Sequence, residues 1–346
     1  MRVNVKLAAL LGLILFACSS PQIDIDYSVP NFPKEYAVEI QKLGQEELVY
    51  GSPYSVTLYE DNIILQSRNV DNKNVFQVVS AKDGKHKTAF GYTGRGENEL
   101  TDYVMPMYDA NLKRICAIDN NGKFIAFDLK KAMEGDPKCV CMSHKMPKYP
   151  TTSQVLVWGD RLIHAEGKPR LFSTNIEGRD TIVLYDSFPK AGIDDETDRS
   201  MYFNYQSHAA IRPDGKKMCN ITGEGMIMEI WDLSERGAEQ RALRYFFKPQ
   251  MKSFKTNTPM DNAIRGAYYV YATDKYIYCG YYDQPWNDNN PPRAKLAVFD
   301  WNGKEVCQYI VNDRLSRFAV TPDDMRVYCW TRTASGDSYL GYFDLK

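Results

Sequence analysis

The chain has 346 residues, of which 44% are hydrophobic and 25% charged, and its formal net charge is −1. That balance excludes a general electrostatic attraction to nucleic acid, because such binding depends on basic side chains that neutralise phosphates. After residue 20, no apolar run approaches the roughly 20 residues of a membrane-spanning helix. The 24 Tyr, 15 Phe and 5 Trp residues suit β-strands. Composition therefore favours a soluble, β-rich body.

Residues 1–17 have the form of a bacterial lipoprotein signal peptide. A basic start leads into the apolar run Leu7–Phe16, which is too short to remain as a membrane helix. The motif Leu15-Phe16-Ala17-Cys18 then supplies the large residue, the small residue and the cysteine of a lipobox, and so resembles a lipoprotein cleavage site. Cys18 is the predicted lipidation site, and each buried acyl methylene would contribute about 0.8 kcal/mol to membrane anchorage. The alternative is an ordinary secretory signal followed by an incidental cysteine.

The residues after Cys18 indicate where the anchored protein resides. Ser19, rather than Asp, follows the predicted lipidated cysteine, which favours the outer membrane of a Gram-negative envelope. A periplasmic and a surface-facing orientation both stay open. Residues 18–34 are polar and interrupted by proline, so they are predicted to be a tether that leads to a folded domain at 35–346.

One sequence pattern recurs six times through that domain. A turn rich in Asp, Gly or Asn is followed by two or three apolar residues and then by a small or polar one. Repeats of about 50 residues with four strand signals each are typical of β-propellers, in which each blade buries its faces on its neighbours. The sequence therefore predicts one all-β domain, a six-bladed β-propeller. The equivalent second-strand positions are Leu65, Cys116, His164, Cys219, Cys279 and Cys329.

The six repeats also give the predicted limits of the blades. Turn residues such as Pro, Gly, Asp and Asn separate the aromatic and β-branched runs within each blade. Since the repeats continue to the end of the chain, no room remains for a second core. The predicted blades are Ser52–Gly91, Met105–Met146, Ser153–Phe188, His208–Phe247, Gly266–Val311 and Leu315–Lys346.

The last repeat has strand signals for three strands and then ends. An open ring would expose two sheet edges and an apolar blade face, which is costly and prone to aggregation. The segment Tyr36–Leu43 is therefore predicted to supply the outer strand of the blade that contains Phe343, closing the ring. The alternative is that this segment packs on blade one.

The connector after blade one carries a family resemblance. Its sequence GYTGRGENEL, 91–100, contains Gly96-Glu97, and together with the lipobox and the blade length it resembles the TolB-like six-bladed propeller lipoproteins of Bacteroides and relatives. Arg95 stands where many relatives have proline, and a different local turn is expected here. The resemblance implies a propeller in the cell envelope rather than a particular activity.

Seven cysteines remain beside Cys18. Four of them, Cys116, Cys219, Cys279 and Cys329, occupy one repeat position in separate blades, too far apart for a disulfide, which needs Cα atoms within about 7 Å. They are predicted to be packing residues. Cys139-Val-Cys141 lacks the partner pair of a zinc site.

His164 and Glu166 are two residues apart on a strand and so share one face. They could form a proton-transfer or ligand pair, but a satisfied polar pair in a blade core is the favoured interpretation. Glu166 and Asn220 are the only suggestive oxygen ligands at second-strand positions. Their offsets from the repeat differ by one residue, which should turn them to opposite faces.

The predicted binding surface lies on the loops between second and third strands and on the connectors between blades. Blade five has the longest such loop, 281–295, where Trp286 stands among polar residues and could stack on a sugar or grip a peptide. The alternative is that Trp286 folds back onto its own loop. Gly94 and Gly96 could adopt positive φ and aim Arg95 and Glu97 at the channel mouth. The ligand-binding candidates are Arg95, Glu97, Tyr202, Tyr205, Arg265, Tyr282, Asp283, Trp286, Arg293 and Arg332.

Two function classes follow. The first is a non-catalytic envelope lipoprotein that binds a protein, peptide or glycan partner on this face, with no cofactor, no metal and no catalytic residues. The second is a divalent-metal-dependent, lactonase-like hydrolase or lyase at the central channel, which would need several oxygen ligands converging on the axis.

Overall fold

The computed structural model describes residues 27–44, 53–66, 73–101, 104–146, 155–165, 169–190, 205–253, 258–285, 287, 294–333 and 335–346. These residues form an almost entirely β structure in which six sheets of mainly antiparallel strands make a ring. The predicted six-bladed propeller is confirmed. No helix in the described part of the chain is long and apolar enough to cross a membrane.

The first four blades are meanders of four strands, ordered along the chain from the centre of the ring outward. Blade one contains β3 Val56–Tyr59, β4 Asn62–Gln66, β5 Asn74–Ser80 and β6 His86–Tyr92. Blade two contains β7 Val104–Asp109, β8 Arg114–Asp119, β9 Lys123–Asp128, α1 Leu129–Met133 and β10 Val140–Lys145. Blade three contains β11 Val155–Trp158, β12 Arg161–His164, β13 Leu171–Asn175 and β14 Thr181–Tyr185. Blade four contains β15 Ser207–Ile211, β16 Lys217–Thr222, β17 Ile227–Ser234 and β18 Gly237–Tyr245.

The last two blades also take strands from the start of the described chain, β1 Glu35–Val38 and β2 Gln41–Lys42. A short hairpin, β19 Met251–Ser253 with β20 Thr258–Pro259, precedes them. Blade five contains β21 Ile264–Ala272, β22 Tyr276–Pro285, β23 Lys295–Asp300 and β24 Glu305–Val311. Blade six contains β25 Arg314–Val320, β26 Arg326–Arg332 and β27 Ser338–Asp344.

The N-terminal segment closes the ring, as predicted, but it is divided between two blades. Gln41 and Lys42 pair antiparallel with Tyr342 and Gly341 of β27, which completes blade six. The four residues of β1 instead pair in parallel with β24 and become a fifth strand of blade five. The expectation that the whole segment joins blade six is therefore wrong for β1.

The side chains of this segment explain why it holds the ring together. Ile40 is buried in the core shared by blades five and six, and Leu43 is buried in the core shared by blades six and one. The Ile40 amide also donates to Asn312 Oδ1 over 3.3 Å. One short segment thus covers sheet edges and apolar surface that an open ring would leave exposed.

The second strands form the most deeply buried layer, as the repeat predicts. Cys116, Cys219, Cys279 and Cys329 are all 0% exposed and lie in four different blades. Every described cysteine is free, and burial raises the pKa of both the Cys116 and the Cys219 thiols to about 12. The interpretation of these cysteines as packing residues is confirmed.

Candidate functional site

The innermost strand of each blade lines a central channel, which holds a cavity of ≈ 350 Å³. All six innermost strands contribute to its wall. The wall combines aromatic rings, main-chain atoms and a few ionisable groups. Its titratable side chains are Tyr54, Tyr108, Asp109, His208, Arg212, Tyr269, Tyr271 and Arg317.

We call the end of the ring at which each innermost strand begins the loop face. In an antiparallel meander of four strands, the second-to-third-strand loop and the connector to the next blade lie at that same end. This is the face on which the sequence predicts ligand binding. Loops of this kind often carry function on a rigid scaffold.

Arg317 of β25 is half-buried in the channel wall. Its Nε donates to Tyr54 O over 3.0 Å, and its Nη1 donates to Ser316 O over 2.8 Å. The guanidinium lies over the Tyr269 ring, 5.2 Å from the centroid. Burial lowers the pKa of His208 to about 4, and the Arg317 charge acts in the same direction. At neutral pH the channel therefore holds an arginine cation beside a neutral histidine.

Three register shifts of the β-bulge type shape this part of the wall. The register of β25 against β26 shifts between Leu315 and Arg317. The register of β21 against β22 also shifts, between Arg265 and Ala267 and again between Ala267 and Tyr269. A bulge re-aims the side chains that follow it and is common beside binding sites. Here the bulges stand on the two neighbouring strands that supply Arg317 and Tyr269.

More arginines lie at the loop face of blades five and six. Arg314 begins β25 and is directly opposite Arg332 at the end of β26, and both side chains are exposed. Like charges directly opposite each other destabilise a sheet. Neither residue forms an ion pair with any carboxylate in the described part of the chain. We call Arg314 and Arg332 the rim arginines.

Tyr282 connects the rim arginines to the channel. Its half-buried ring stacks on Tyr268 with centroids 4.4 Å apart. Burial raises the pKa of Tyr282, whereas the positive charges of Arg314, Arg265 and Arg317 oppose that shift. The charges of three arginines therefore act on this one tyrosine.

Three of the predicted candidates, Arg265, Tyr282 and Arg332, thus lie in one region of the loop face. Asp283 is exposed on the following part of β22 and forms an ion pair with Lys295 over 2.8 Å. Tyr205 differs from the prediction, because its side chain is only 3% exposed. It packs beside Phe188 between blades three and four and is not presented to a ligand.

Arg95 and Glu97 are exposed on a connector that contacts the outer part of blade two and contributes no residue to the channel wall. Glu97 O accepts a hydrogen bond from Ser143 of β10, the outermost strand of blade two, over 2.7 Å. Gly94 and Gly96 do not adopt the positive φ that the sequence suggested. They instead leave room for the Glu99 carboxylate, which accepts from the Gly96 amide over 2.7 Å. This connector is a peripheral turn closed by its own glutamate.

The remaining predicted residues lie outside the described part of the chain. They are Cys18, Glu166, Tyr202, Trp286 and Arg293. The proposed stacking role of Trp286 therefore stays a prediction, as does the lipidation of Cys18.

His164 belongs to a blade core. Its ring stacks on Phe172 with centroids 4.4 Å apart, and its Nε2 lies 3.0 Å from Thr174 Oγ1. Burial lowers the pKa of His164 to about 4. This agrees with the favoured interpretation of His164 as a core residue.

Asn220 lies in the interface between blades three and four. It is fully buried and is directly opposite Glu229, which forms a buried ion pair with Arg170. Among the described residues, no group of three or more His, Cys, Asp and Glu side chains is placed to hold a metal ion.

Sequence reasoning missed Arg314 and Arg317. Their strand reads RLSRFAV, and a regular strand would turn residues three apart to opposite faces. The bulge between Leu315 and Arg317 breaks that alternation. The sequence does contain two arginines at the start of a largely apolar strand, which could have marked these residues as candidates. It does not reveal the bulge that places Arg317 in the channel wall.

Comparison with known proteins gives the fold alone. No family model matches the chain, and no curated protein is similar to it in sequence. A solved structure from Bacteroides fragilis, described as a presumed exported protein, is 12% identical with a TM-score of 0.56, covering 90% of this chain and 99% of that one. A member of the DUF4221 family from Bacteroides vulgatus is 8% identical with a TM-score of 0.57, covering 89% and 96%. The chain therefore shares a fold with these two Bacteroides proteins.

Proposed function

We propose that the protein is a non-catalytic lipoprotein of the cell envelope, related to the TolB-like propellers, which binds a protein, peptide or glycan partner on its loop face. The observation that carries this proposal is the pair of rim arginines. Arg314 and Arg332 face each other, exposed and without a described carboxylate partner. Two like charges opposite each other destabilise the folded sheet. We therefore expect a bound partner to compensate for these charges.

The envelope location is supported from two sides. The motif Leu15-Phe16-Ala17-Cys18 has the form of a lipobox, and one structural neighbour is described as a presumed exported protein. We propose that Cys18 carries the acyl chains and that the tether to the outer membrane is the part of segment 18–34 before Tyr27, because Tyr27, Ser28 and Phe32 already contact the propeller.

The start of the described chain suggests how the propeller is oriented. The Ser28 amide donates to Tyr245 O over 3.0 Å, and the Tyr27 and Tyr245 rings meet edge to face. Tyr245 ends β18, the fourth strand of its blade, so this contact is at the loop face. The nine residues from Cys18 to Tyr27 reach about 30 Å when extended. We infer that the loop face lies near the membrane and that its partner is membrane-associated.

The anchor is tested by feeding cells an alkyne-bearing palmitate analogue and detecting it on the purified protein. Labelled wild type and unlabelled Cys18→Ala are expected. An unlabelled wild-type protein, released into the soluble fraction, would contradict the lipid anchor.

The binding face is tested by charge reversal. Arg314→Glu with Arg332→Glu keeps a like-charged pair, so its cost to the sheet stays similar while its sign changes. Lys216→Glu with Lys275→Glu is the matched control, because both lysines are exposed in turns at the opposite end of the ring. Binding to arrays of envelope glycans and to separated envelope proteins should fall about tenfold for the arginine pair alone. Equal losses in both variants would contradict the proposed face.

A further inference from the structure

The channel cavity contains a positive charge that is distinct from the charges of the rim arginines on the loop face. Asp109 is neutralised by Arg114, with Nε 3.1 Å from Oδ2. Arg212 is neutralised by Asp214, through contacts of 2.9 and 2.6 Å. Of the ionised side chains that line the cavity, Arg317 alone has no carboxylate partner among the described residues. The cavity is therefore a concave site with one uncompensated positive charge.

The hydrogen bonds of Arg317 leave donor capacity for a ligand. Its two contacts, to Tyr54 O and Ser316 O, use Nε and Nη1. Nη2 makes no hydrogen bond with the described chain. A half-buried guanidinium that is held in place through Nε and Nη1 is pre-organised to bind an anion through Nη2.

Two tyrosines of the wall add neutral donors. Tyr108 and Tyr271 both line the cavity, and each is half-buried in its wall. Neither hydroxyl has a hydrogen-bond partner in the described part of the chain. Each ring also presents an apolar face, and a tyrosine can therefore contact both the body and the polar end of a small molecule.

We propose that the channel binds a small organic anion, whose carboxylate or phosphate accepts hydrogen bonds from Arg317 and whose body lies against Tyr108 and Tyr271. The size of the cavity, ≈ 350 Å³, is that of a pocket for a small organic molecule. Arg314 and Arg332, exposed at the loop face, add positive charge at that end of the ring and would raise the local concentration of an anion there.

Isothermal titration calorimetry tests this site, with the full-length protein in non-ionic detergent. Phenyl phosphate and benzoate are the anionic probes, and phenol is the neutral probe of the same ring size. Arg317→Gln removes the charge. Arg212→Gln is the matched control, because Arg212 lines the same cavity but is already paired with Asp214. Tyr271→Phe, which keeps the ring and removes only the hydroxyl, serves as a second variant should Arg317→Gln fail to fold.

One or both anions are expected to bind wild type with Kd below about 1 mM, and phenol at least about tenfold more weakly. Arg317→Gln should weaken anion binding by about tenfold or more, Tyr271→Phe by about threefold, and Arg212→Gln hardly at all. The stronger of the two probes identifies the anionic group as phosphate or carboxylate. Absence of binding by both anions at about 1 mM, or equal affinity in wild type and Arg317→Gln, would overturn the proposal.

Discussion

Removing Arg170 should destabilise the propeller more than any surface substitution, because it leaves a buried carboxylate without its counter-ion. Arg170 and Glu229 are both 0% exposed, and Arg170 Nε lies 2.9 Å from Glu229 Oε2. Arg170 also donates to Ala165 O over 3.2 Å and to Tyr205 O over 3.4 Å. These contacts join blade three to blade four.

The magnitude follows from desolvation. Burial raises the pKa of Glu229, and the Arg170 charge counteracts that shift, so the carboxylate depends on arginine to remain ionised. Removing one partner of a buried pair costs about 3–5 kcal/mol, a large part of the roughly 5–15 kcal/mol that stabilises a typical domain. Arg170→Met should lower the free energy of unfolding by about that amount. Adding Glu229→Gln should restore part of it, because the uncompensated charge is then gone.

Urea denaturation followed by tryptophan fluorescence measures these changes, and fully buried Trp231, on the same strand as Glu229, is a suitable reporter. Arg179→Met is the control, since its pair with Glu177 is exposed. It should change little. A cost of less than about 1 kcal/mol for Arg170→Met, or a double variant less stable than Arg170→Met alone, would show that Glu229 does not depend on the Arg170 charge.

Three further predictions concern the core, the ring closure and the thiols. The pKa of His164 is about 4 in the fold and about 6.5 unfolded, so up to about 3 kcal/mol of stability present above pH 6.5 should be lost toward pH 4. His164→Gln should remove this part of the pH dependence and leave the part due to His208, whose pKa is also about 4. An unchanged profile would contradict this prediction. A Cβ at Gly341 would lie 2.4 Å from Ile40 Cγ2, so Gly341→Ala should speed hydrogen exchange of residues 35–44. Gly223→Ala is the control, because its new Cβ would be 3.5 Å from the nearest atom. Equal exchange rates of residues 35–44 in the two variants would count against this closure. Iodoacetamide should alkylate native protein, among the described cysteines, at exposed Cys141, and mass spectrometry showing rapid labelling of a buried thiol would contradict the fold.

The blades were predictable because their signal is repeated. Six similar sequence repeats at spacings of about 50 residues identify the architecture, even though each repeat alone is a weak signal. Placing Cys116 and Cys219 at one position of that repeat was enough to predict burial without disulfides. The need to close a three-stranded last blade also predicted where Gln41 would pair.

The remaining features depend on contacts that no single segment specifies. The segment of β1 reads as a half-buried strand, but it does not reveal that its partner is β24. Likewise, Gly94 and Gly96 signal an unusual turn, yet the cause is the folded-back Glu99 rather than positive φ. The channel site was missed because the bulge before Arg317 changes which face that residue occupies.

We expect the loop face to meet a membrane-associated partner, and photo-crosslinking in intact cells measures that contact. A photoreactive amino acid is placed at Arg332 on the loop face in one strain, and at exposed Lys275 at the other end of blade five in a second strain. After irradiation and mass spectrometry, a discrete adduct with a membrane-associated protein or glycan is expected from Arg332 and not from Lys275. Adducts from Lys275 alone, equal adducts from both positions, or none from Arg332 would contradict the claim.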